Sequence, residues 1–361
     1  MKIIIRSFCL WLILLFSGLV LGNDLSVKTL SIEVSNKERG ISPVFSLPFV
    51  ESKSSKIAAR INDFIFINEL GILTPAKRND YKLKQDDYAG TVEMSYQVLN
   101  NNGRVLSIGF EKEGCGAYCE TYGADYNFDT DSGRAIGISD LFTPEGWEVF
   151  NRKQLLVERQ SQIKEAILEL KKNSDKNEVN SAENIMVEQF QDCITLIADP
   201  QYTSKTFTIN NKAVTFTRER CSNHAFRALD NIGDFANAYP VESLRPYLSS
   251  YGKALLLNEG TGTAAKSPFN QVLHGFIGGK IAITLLLLGN AYEDQSFSAV
   301  YFYDKHRQSI PLSGTQQGNS LTLKETDDKG KTVATIKLAI DGESVKGEWL
   351  GNNKLSFEAA P

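Results

Sequence analysis

The residue types that could do chemistry gather between Glu111 and Gly133. Glu111, Glu113 and Glu120 flank the turn Cys115-Gly116-Ala117-Tyr118-Cys119. Paired carboxylates can hydrolyse a glycosidic bond when they stand about 5–9.5 Å apart, one as acid and the other as base or nucleophile. Acids so placed also serve simply as the solvated face of a strand, and the sequence shows no cleft or partner around them. Downstream, Asp129-Thr130-Asp131-Ser132-Gly133 has the composition of a calcium loop. The glycine arrives one position too early for an EF-hand, and Asp140 stands where the closing glutamate belongs. An ordinary β-turn accounts for the same residues. His224, in Cys221-Ser222-Asn223-His224, is a candidate base or ligand, but the other histidines, His274 and His306, do not stand at metal-site spacing. The chain has no Gly-x-Ser-x-Gly, His-Glu-x-x-His or catalytic Cys–His pattern. No catalytic residue, metal ligand or cofactor is assigned. Tyr118 is expected to be exposed, and a tyrosine on a stiff loop gives recognition area at low entropic cost. Tyr118, Glu113 and Glu120 are therefore the candidate binding residues.

The chemistry of the cysteines depends on the compartment. Lys2 and Arg6 precede an apolar run from Cys9 to Leu21, and Val20 and Gly22 satisfy the small-residue cleavage rule. Residues 1–22 thus read as a secretory leader, cut before Asn23. No cysteine follows the cut, so a lipid anchor is not expected, and no later apolar run is long enough to span a bilayer. The chain is expected to be periplasmic or secreted, with no membrane span after cleavage. Cys115, Cys119, Cys193 and Cys221 remain, an even number in an oxidising compartment, which points to two disulfides. Of three connectivities, Cys115–Cys119 across the turn and Cys193–Cys221 tying two strands are favoured. The net charge is −4 for the whole chain and more acidic without the leader. That balance argues against a nucleic-acid partner.

These residues must be held by a first domain over residues 23–257. Extended runs at Leu25–Val34 and Phe45–Val50 precede a helix from Lys53 to Leu70, stopped at Gly71. Strands at Gly90–Leu99 and Arg104–Lys112 meet through Asn100-Asn101-Asn102-Gly103, a strong hairpin signal. Alternation sends Leu106, Ile108 and Phe110 to one face of the sheet. A strand from Glu120 to Phe128 places Tyr122, Ala124, Tyr126 and Phe128 together, turns at Asp131-Ser132-Gly133 and returns through Ala135–Ile138. Thr143-Pro144-Glu145 starts a helix to Leu170, whose stripe Val149, Leu156, Ile163, Ile167 and Leu170 should face the core. A polar connector is expected over Lys171–Asn184, a hairpin at Thr206–Ile209 and Ala213–Thr217, and a short helix at Val241–Leu248.

Residues 258–268 form an interdomain linker of small polar residues. Gly260 to Ser267 partly matches a phosphate-binding loop, but Ala265 replaces the second glycine and Pro268 follows, so the linker reading stands. The second domain, 269–361, is all-β: one long strand at Gly275–Leu288, then Phe297–Tyr303, Ser309–Leu312, Ser320–Glu325, Thr332–Ile340, Val345–Leu350 and Leu355–Glu358. Leu321, Leu323, Ile336, Leu338, Trp349 and Phe357 are its core. The expected fold class is α+β, an antiparallel sheet with packed helices, followed by a small antiparallel β meander closed as a barrel or folded as a sandwich.

Three groups of residues carry a family resemblance. They are Gly114–Phe142, with Asn127, Phe128, Asp129, Gly133, Asp140, Leu141 and Phe142 at its centre; Ser42-Pro43-Val44 with Arg60-Ile61-Asn62; and Phe207, Phe216 and Val241-Glu242-Ser243-Leu244. Over about residues 26–256 the chain resembles the extracytoplasmic domain of RsiV-type anti-sigma factors, shared with the N-terminal part of PdaC-type peptidoglycan deacetylases. The resemblance implies an α+β envelope module that binds lysozyme in the first case and accompanies a wall-glycan enzyme in the second. Where that family commonly reads Gly-Gly-Ala-His, this chain has Cys115-Gly116-Ala117-Tyr118. A histidine is lost and a cysteine pair gained. The membrane helix, sigma-binding segment and deacetylase domain are absent, so signalling and deacetylation do not transfer. The expected function is non-catalytic recognition of a lysozyme-like protein or a peptidoglycan fragment. The alternatives are a wall-glycan hydrolase using the glutamates and a structural or assembly factor of the envelope.

Overall fold

The structure is a computed structural model that describes residues 25–34, 44–74, 91–116, 119–173, 182–198, 206–218, 220–230, 232–289, 296–327 and 329–361. The expected leader and its cleavage site, Ser42, Pro43 and Tyr118 lie outside the described residues. The fold class is α+β, with a closed antiparallel β-barrel at its C-terminal end.

The first sheet takes the order β1 (Ser26–Glu33), β2 (Val44–Glu51), β3 (Thr91–Asn101), β4 (Val105–Cys115) and β5 (Cys119–Asp129). Its pairs are antiparallel except β2–β3, which helix α1 (Ser55–Leu70) makes parallel by crossing over between them. Ser54 caps α1 through its hydroxyl, and Gly71 ends it at φ 61°. The buried face of α1 (Ile61, Phe64, Ile65) packs on Phe45, Leu47, Leu106, Ile108, Phe110 and Phe128 from the sheet. Asn62 is also buried there. Its side-chain amide pairs with Val50 as a strand would, accepting from Val50 N at 2.8 Å and donating to Val50 O at 2.9 Å.

After β5 come α2 (Ile138–Leu141), α3 (Pro144–Phe150), a π-helical turn at Asn151–Leu155, α4 (Leu156–Asn173) and α5 (Ala182–Ile197). The expected long helix from Glu145 therefore exists with an inserted π turn. That turn shifts the helical phase, so Trp147 and Phe150 are buried on one side of it and Ile163 on the other. Val149, expected in the stripe, is 40% exposed as a result. The expected connector is shorter than its span, because α4 runs to Asn173 and α5 begins at Ala182.

A second sheet joins β6 (Thr206–Ile209), β7 (Ala213–Arg218) and β8 (Phe235–Pro240), followed by α6 (Val241–Leu244) and α7 (Ser250–Leu257). It covers the other face of β4 and β5, enclosing Val105, Phe142, Phe150, Phe207 and Phe216. The disulfides are Cys115–Cys119 and Cys193–Cys221. The second does not tie two strands. Cys193 is on α5 and Cys221 follows β7, so a helix is fastened to a loop.

The barrel comprises β9 (Val272–Ile277), β10 (Ile281–Leu288), β11 (Ser296–Tyr303), β12 (Ser309–Gln317), β13 (Ser320–Thr326), β14 (Thr332–Asp341), β15 (Ser344–Leu350) and β16 (Lys354–Ala360), which pairs back with β9. The single strand expected over Gly275–Leu288 is a hairpin, because Gly278 and Gly279 turn at φ 62° and 66°. Leu285, Leu287, Leu321, Leu323, Ile336, Leu338 and Phe357 fill the interior, with Trp349 packed half-buried at its edge. The outer face of β9, β10 and β11 is also covered. Val272, Leu286 and Phe302 join the core beneath α1, and Arg307 donates to Leu73 O at 2.8 Å. Burial on both faces explains the apolar run Leu285–Leu288 of β10.

Candidate functional site

The β4–β5 hairpin positions Glu111, Glu113 and Glu120, and its two ends differ. At the end nearer Asp129, the residues on which the sequence resemblance rests are committed to the fold. Asn127 is buried between the sheets: its Oδ1 accepts from Ile209 N at 3.0 Å and its Nδ2 donates to Phe207 O at 2.8 Å. The Ser107 hydroxyl lies 2.7 Å from both Asn127 Oδ1 and Ile209 O. Phe128 meets Phe64 edge-on within the core under α1. Asp129 Oδ1 accepts from Asp131 N and Ser132 N, and its Oδ2 accepts from the Tyr251 hydroxyl at 2.6 Å. These three bonds tie the turn to its own backbone and to α7. Gly133 sits at φ 73°, where a Cβ would lie 2.8 Å from Ile57 O, so only glycine fits. Asp140 Oδ2 accepts from Gly137 N, and Arg134 lies 3.2 Å from its other oxygen. Burial pushes the Asp140 carboxyl above its ordinary range, with Arg134 and the Gly137 N–H pulling it back.

The expected return strand is a short one. Asp129 N bonds Arg134 O and Ile136 N bonds Asn127 O, after which α2 begins at Ile138. Arg134 also donates to Ala265 O at 2.7 Å, joining the turn to the linker. The two segments weighed as calcium and phosphate loops thus meet in space. With Arg104, Tyr251, Asn258 and Glu343 they line a cleft of about 410 Å³. No helix follows Gly260–Ser267, whose backbone runs without regular structure. A phosphate loop needs such a helix for its N–H groups to converge, and that reading is set aside.

The other end of the hairpin faces outward. Cys115 and Cys119 are opposite each other in register, followed by Gly114 and Glu120, Glu113 and Thr121, and Lys112 and Tyr122. Side chains alternate, so Glu111 and Glu113 share a face with the cystine, and Glu120 and Tyr122 take the other. Glu120 is bound to Arg227 at 3.0 Å. Lys112 bonds the buried Glu69 at 2.9 Å and lies 5.0 Å from the centre of the Tyr122 ring. Tyr122, expected to share the core with Tyr126, is instead 37% exposed, and its hydroxyl lies 3.2 Å from Thr91 Oγ1. Tyr126 is turned inward and donates to Glu69 Oε1 at 2.5 Å, and burial first, then Glu69, raises its hydroxyl pKa. Glu120 is on the opposite face from Glu111 and Glu113, and none of the three lines the cleft above.

Among the described residues, Glu113, Cys115 and Cys119 bring potential metal-ligand atoms within 4.8 Å of one another. Both sulfurs are bonded to each other, so neither is a thiolate and the group lacks the donors zinc takes. His224 begins a 3₁₀ turn at His224–Leu229, capped by Asn223. Arg227 and Tyr122, which complete the surface around the candidate glutamates, were missed by sequence reasoning. Arg227 lies 107 residues from Glu120 and carries no local signal, whereas the exposure of Tyr122 could have been read from its place at the free end of the strand.

No family model matches the chain, and no curated protein does. Among solved structures it is similar to a member of the DUF3298 family from Bacteroides fragilis, at 12% identity and TM-score 0.39, over 66% of this chain and 98% of that one. It is also similar to a DUF3298 family protein from Pseudomonas aeruginosa, at 12% identity and TM-score 0.36, over 64% of this chain and 98% of that one. These likenesses are coarse and name no activity.

Proposed function

We propose that this chain is a non-catalytic, exported binding protein of the cell envelope that recognises a lysozyme-like protein or a peptidoglycan fragment. The contact surface is the free end of the β4–β5 hairpin. One observation carries this reading: the outward end holds the cystine, Glu113, the exposed Tyr122 ring and the Glu120–Arg227 pair, while the motif at the other end is consumed by packing. Tyr118, between the cysteines, belongs to the same surface by sequence. The resemblance of residues 26–256 to RsiV- and PdaC-type modules supplies the ligand classes. A leader at residues 1–22 and two disulfides suit a periplasmic or secreted chain, and no described helix is long and apolar enough to cross a membrane.

Tyrosine and paired charges around a stiff loop suit recognition, because the ring contributes area with few torsions to fix. A hydrolase is less well supported, since Glu120 lies across the sheet from Glu111 and Glu113 and is ion-paired with Arg227. The test is calorimetric titration of the oxidised chain with lysozyme and, separately, with soluble muropeptides, assaying each mixture for product. Saturable binding without turnover is the expected result. Turnover lost in Glu111→Gln or Glu113→Gln would replace this reading with the hydrolase.

A further inference from the structure

The two disulfides differ in exposure and in span, although Cys221, like Cys115, is half-buried. Cys193 is 4% exposed in a core with Ile163, Met186, Phe190 and Phe235, and its bond to Cys221 spans 28 residues. Cys119 is exposed and Cys115 half-buried at a hairpin tip, and their bond spans 4 residues. An attacking thiolate must reach a sulfur along the S–S axis, so access decides which bond opens first. Loss of the bond also matters differently. The hairpin carrying Cys115–Cys119 stays registered from Val105↔Asp129 to Gly114↔Glu120. The other bond fastens α5 to the loop after β7, beside a hydrogen bond from Asn223 N to Gln189 Oε1.

We propose that Cys115–Cys119 is a thiol-exchange site, opened reversibly by a dithiol reductant while Cys193–Cys221 stays closed, and that the Glu113 carboxylate restrains its opening. A reductant thiolate attacks Sγ of Cys119, the more exposed sulfur. The S–S bond breaks, and its electron pair leaves on Cys115 as a thiolate, which takes a proton. The second thiol of the reductant then attacks the mixed disulfide, releases Cys119 as a thiol and closes the reductant's own disulfide. Two electrons and two protons pass to the protein. Glu113 shares the face of the cystine, and its carboxylate lies within 4.8 Å of both sulfurs. A negative charge there disfavours the departing thiolate and slows the first step. As a control on the contact surface, the exchange rests on the function proposed above; as chemistry, it does not.

The experiment exposes the full oxidised chain to graded dithiothreitol, quenches with an alkylating agent and maps the labelled cysteines by mass spectrometry, with circular dichroism alongside. Cys115 and Cys119 are expected to label together at least tenfold faster than Cys193 and Cys221, with the fold retained. Opening of Cys193–Cys221 first, or of both bonds only on unfolding, would overturn the proposal. In Glu113→Gln the opening rate should rise about twofold at low salt. An equal rate would overturn the part given to Glu113. The selectively reduced chain is then titrated with lysozyme and with muropeptides, and a fall in affinity of at least threefold is expected. Unchanged affinity would overturn the control of binding. If the oxidised chain binds neither ligand, the function proposed above fails while the labelling order is decided on its own.

Discussion

The inner and outer ends of one hairpin, β4–β5, differ in how far their side chains are committed to the fold. At the inner end, Asn127, Phe128, Asp129 and Gly133 have no freedom left: one joins two sheets, one fills a core, one caps a turn and one admits no side chain. At the outer end, Cys115, Cys119, Glu113 and Tyr122 are held in register, and Tyr122 keeps its ring 37% exposed beside Lys112 and Thr91. The residues on which the sequence resemblance rests are therefore spent on architecture, whereas the cystine Cys115–Cys119 stands at the other end of the hairpin.

That contrast can be broken by mutation, and the inner end should respond most. Asn127→Ala leaves Phe207 O, Ile209 N and the Ser107 hydroxyl short of partners, and should cost about 3 kcal/mol in denaturant unfolding. A loss under about 1 kcal/mol would mean that the join between the sheets is not held there. Removing the buried bond with Cys193→Ser and Cys221→Ser should cost about 3–4 kcal/mol, from the loop it closes. The corresponding pair, Cys115→Ser and Cys119→Ser, closes a far shorter loop within a paired hairpin, and about 1–2 kcal/mol is expected in the same assay. Equal losses from the two pairs would erase the distinction between a structural and an exchangeable bond.

Asp125 gives the smallest effect and depends on pH. Burial raises its carboxyl pKa, so the folded chain keeps this proton to higher pH than the unfolded chain. Stability is then lost as pH rises from the ordinary aspartate range through the raised value, and stays lost above it. Asp125→Asn should therefore be more stable than the native chain at pH 7, by a few tenths of a kcal/mol given its partial exposure, and equal to it below both values. Thermal melts at pH 7 and pH 3 check the sign.

Much of this architecture is legible in the sequence where one local signal suffices. Ser54 and Gly71 bound α1, Asn102-Gly103 turns β3 into β4, and alternation in Leu106, Ile108 and Phe110 gives the face under α1. The barrel follows from strand spacing, although Gly278-Gly279 was passed over within an apolar run that hid a hairpin. Helix α5 was missed although Met186, Val187, Phe190, Cys193 and Ile197 show its stripe, because Cys193 was read as part of a strand. The π turn after Phe150 has no sequence signal of its own and moved Val149 out of the core. At the candidate site, the cysteine pair and glutamates were legible because they are local. Arg227 and the cleft joining the Asp129 turn to the linker were not, because they depend on chain segments more than 100 residues apart.

The most direct test compares the oxidised chain with its Tyr118→Ala/Tyr122→Ala variant, titrating each with lysozyme and with soluble muropeptides by calorimetry. Saturable binding of one ligand by the native chain, weakened at least tenfold in the variant with an unchanged melting temperature, is the expected result. Equal affinity in the variant, or binding of neither ligand by the native chain, would contradict the claim that the outer end of the hairpin is the contact surface.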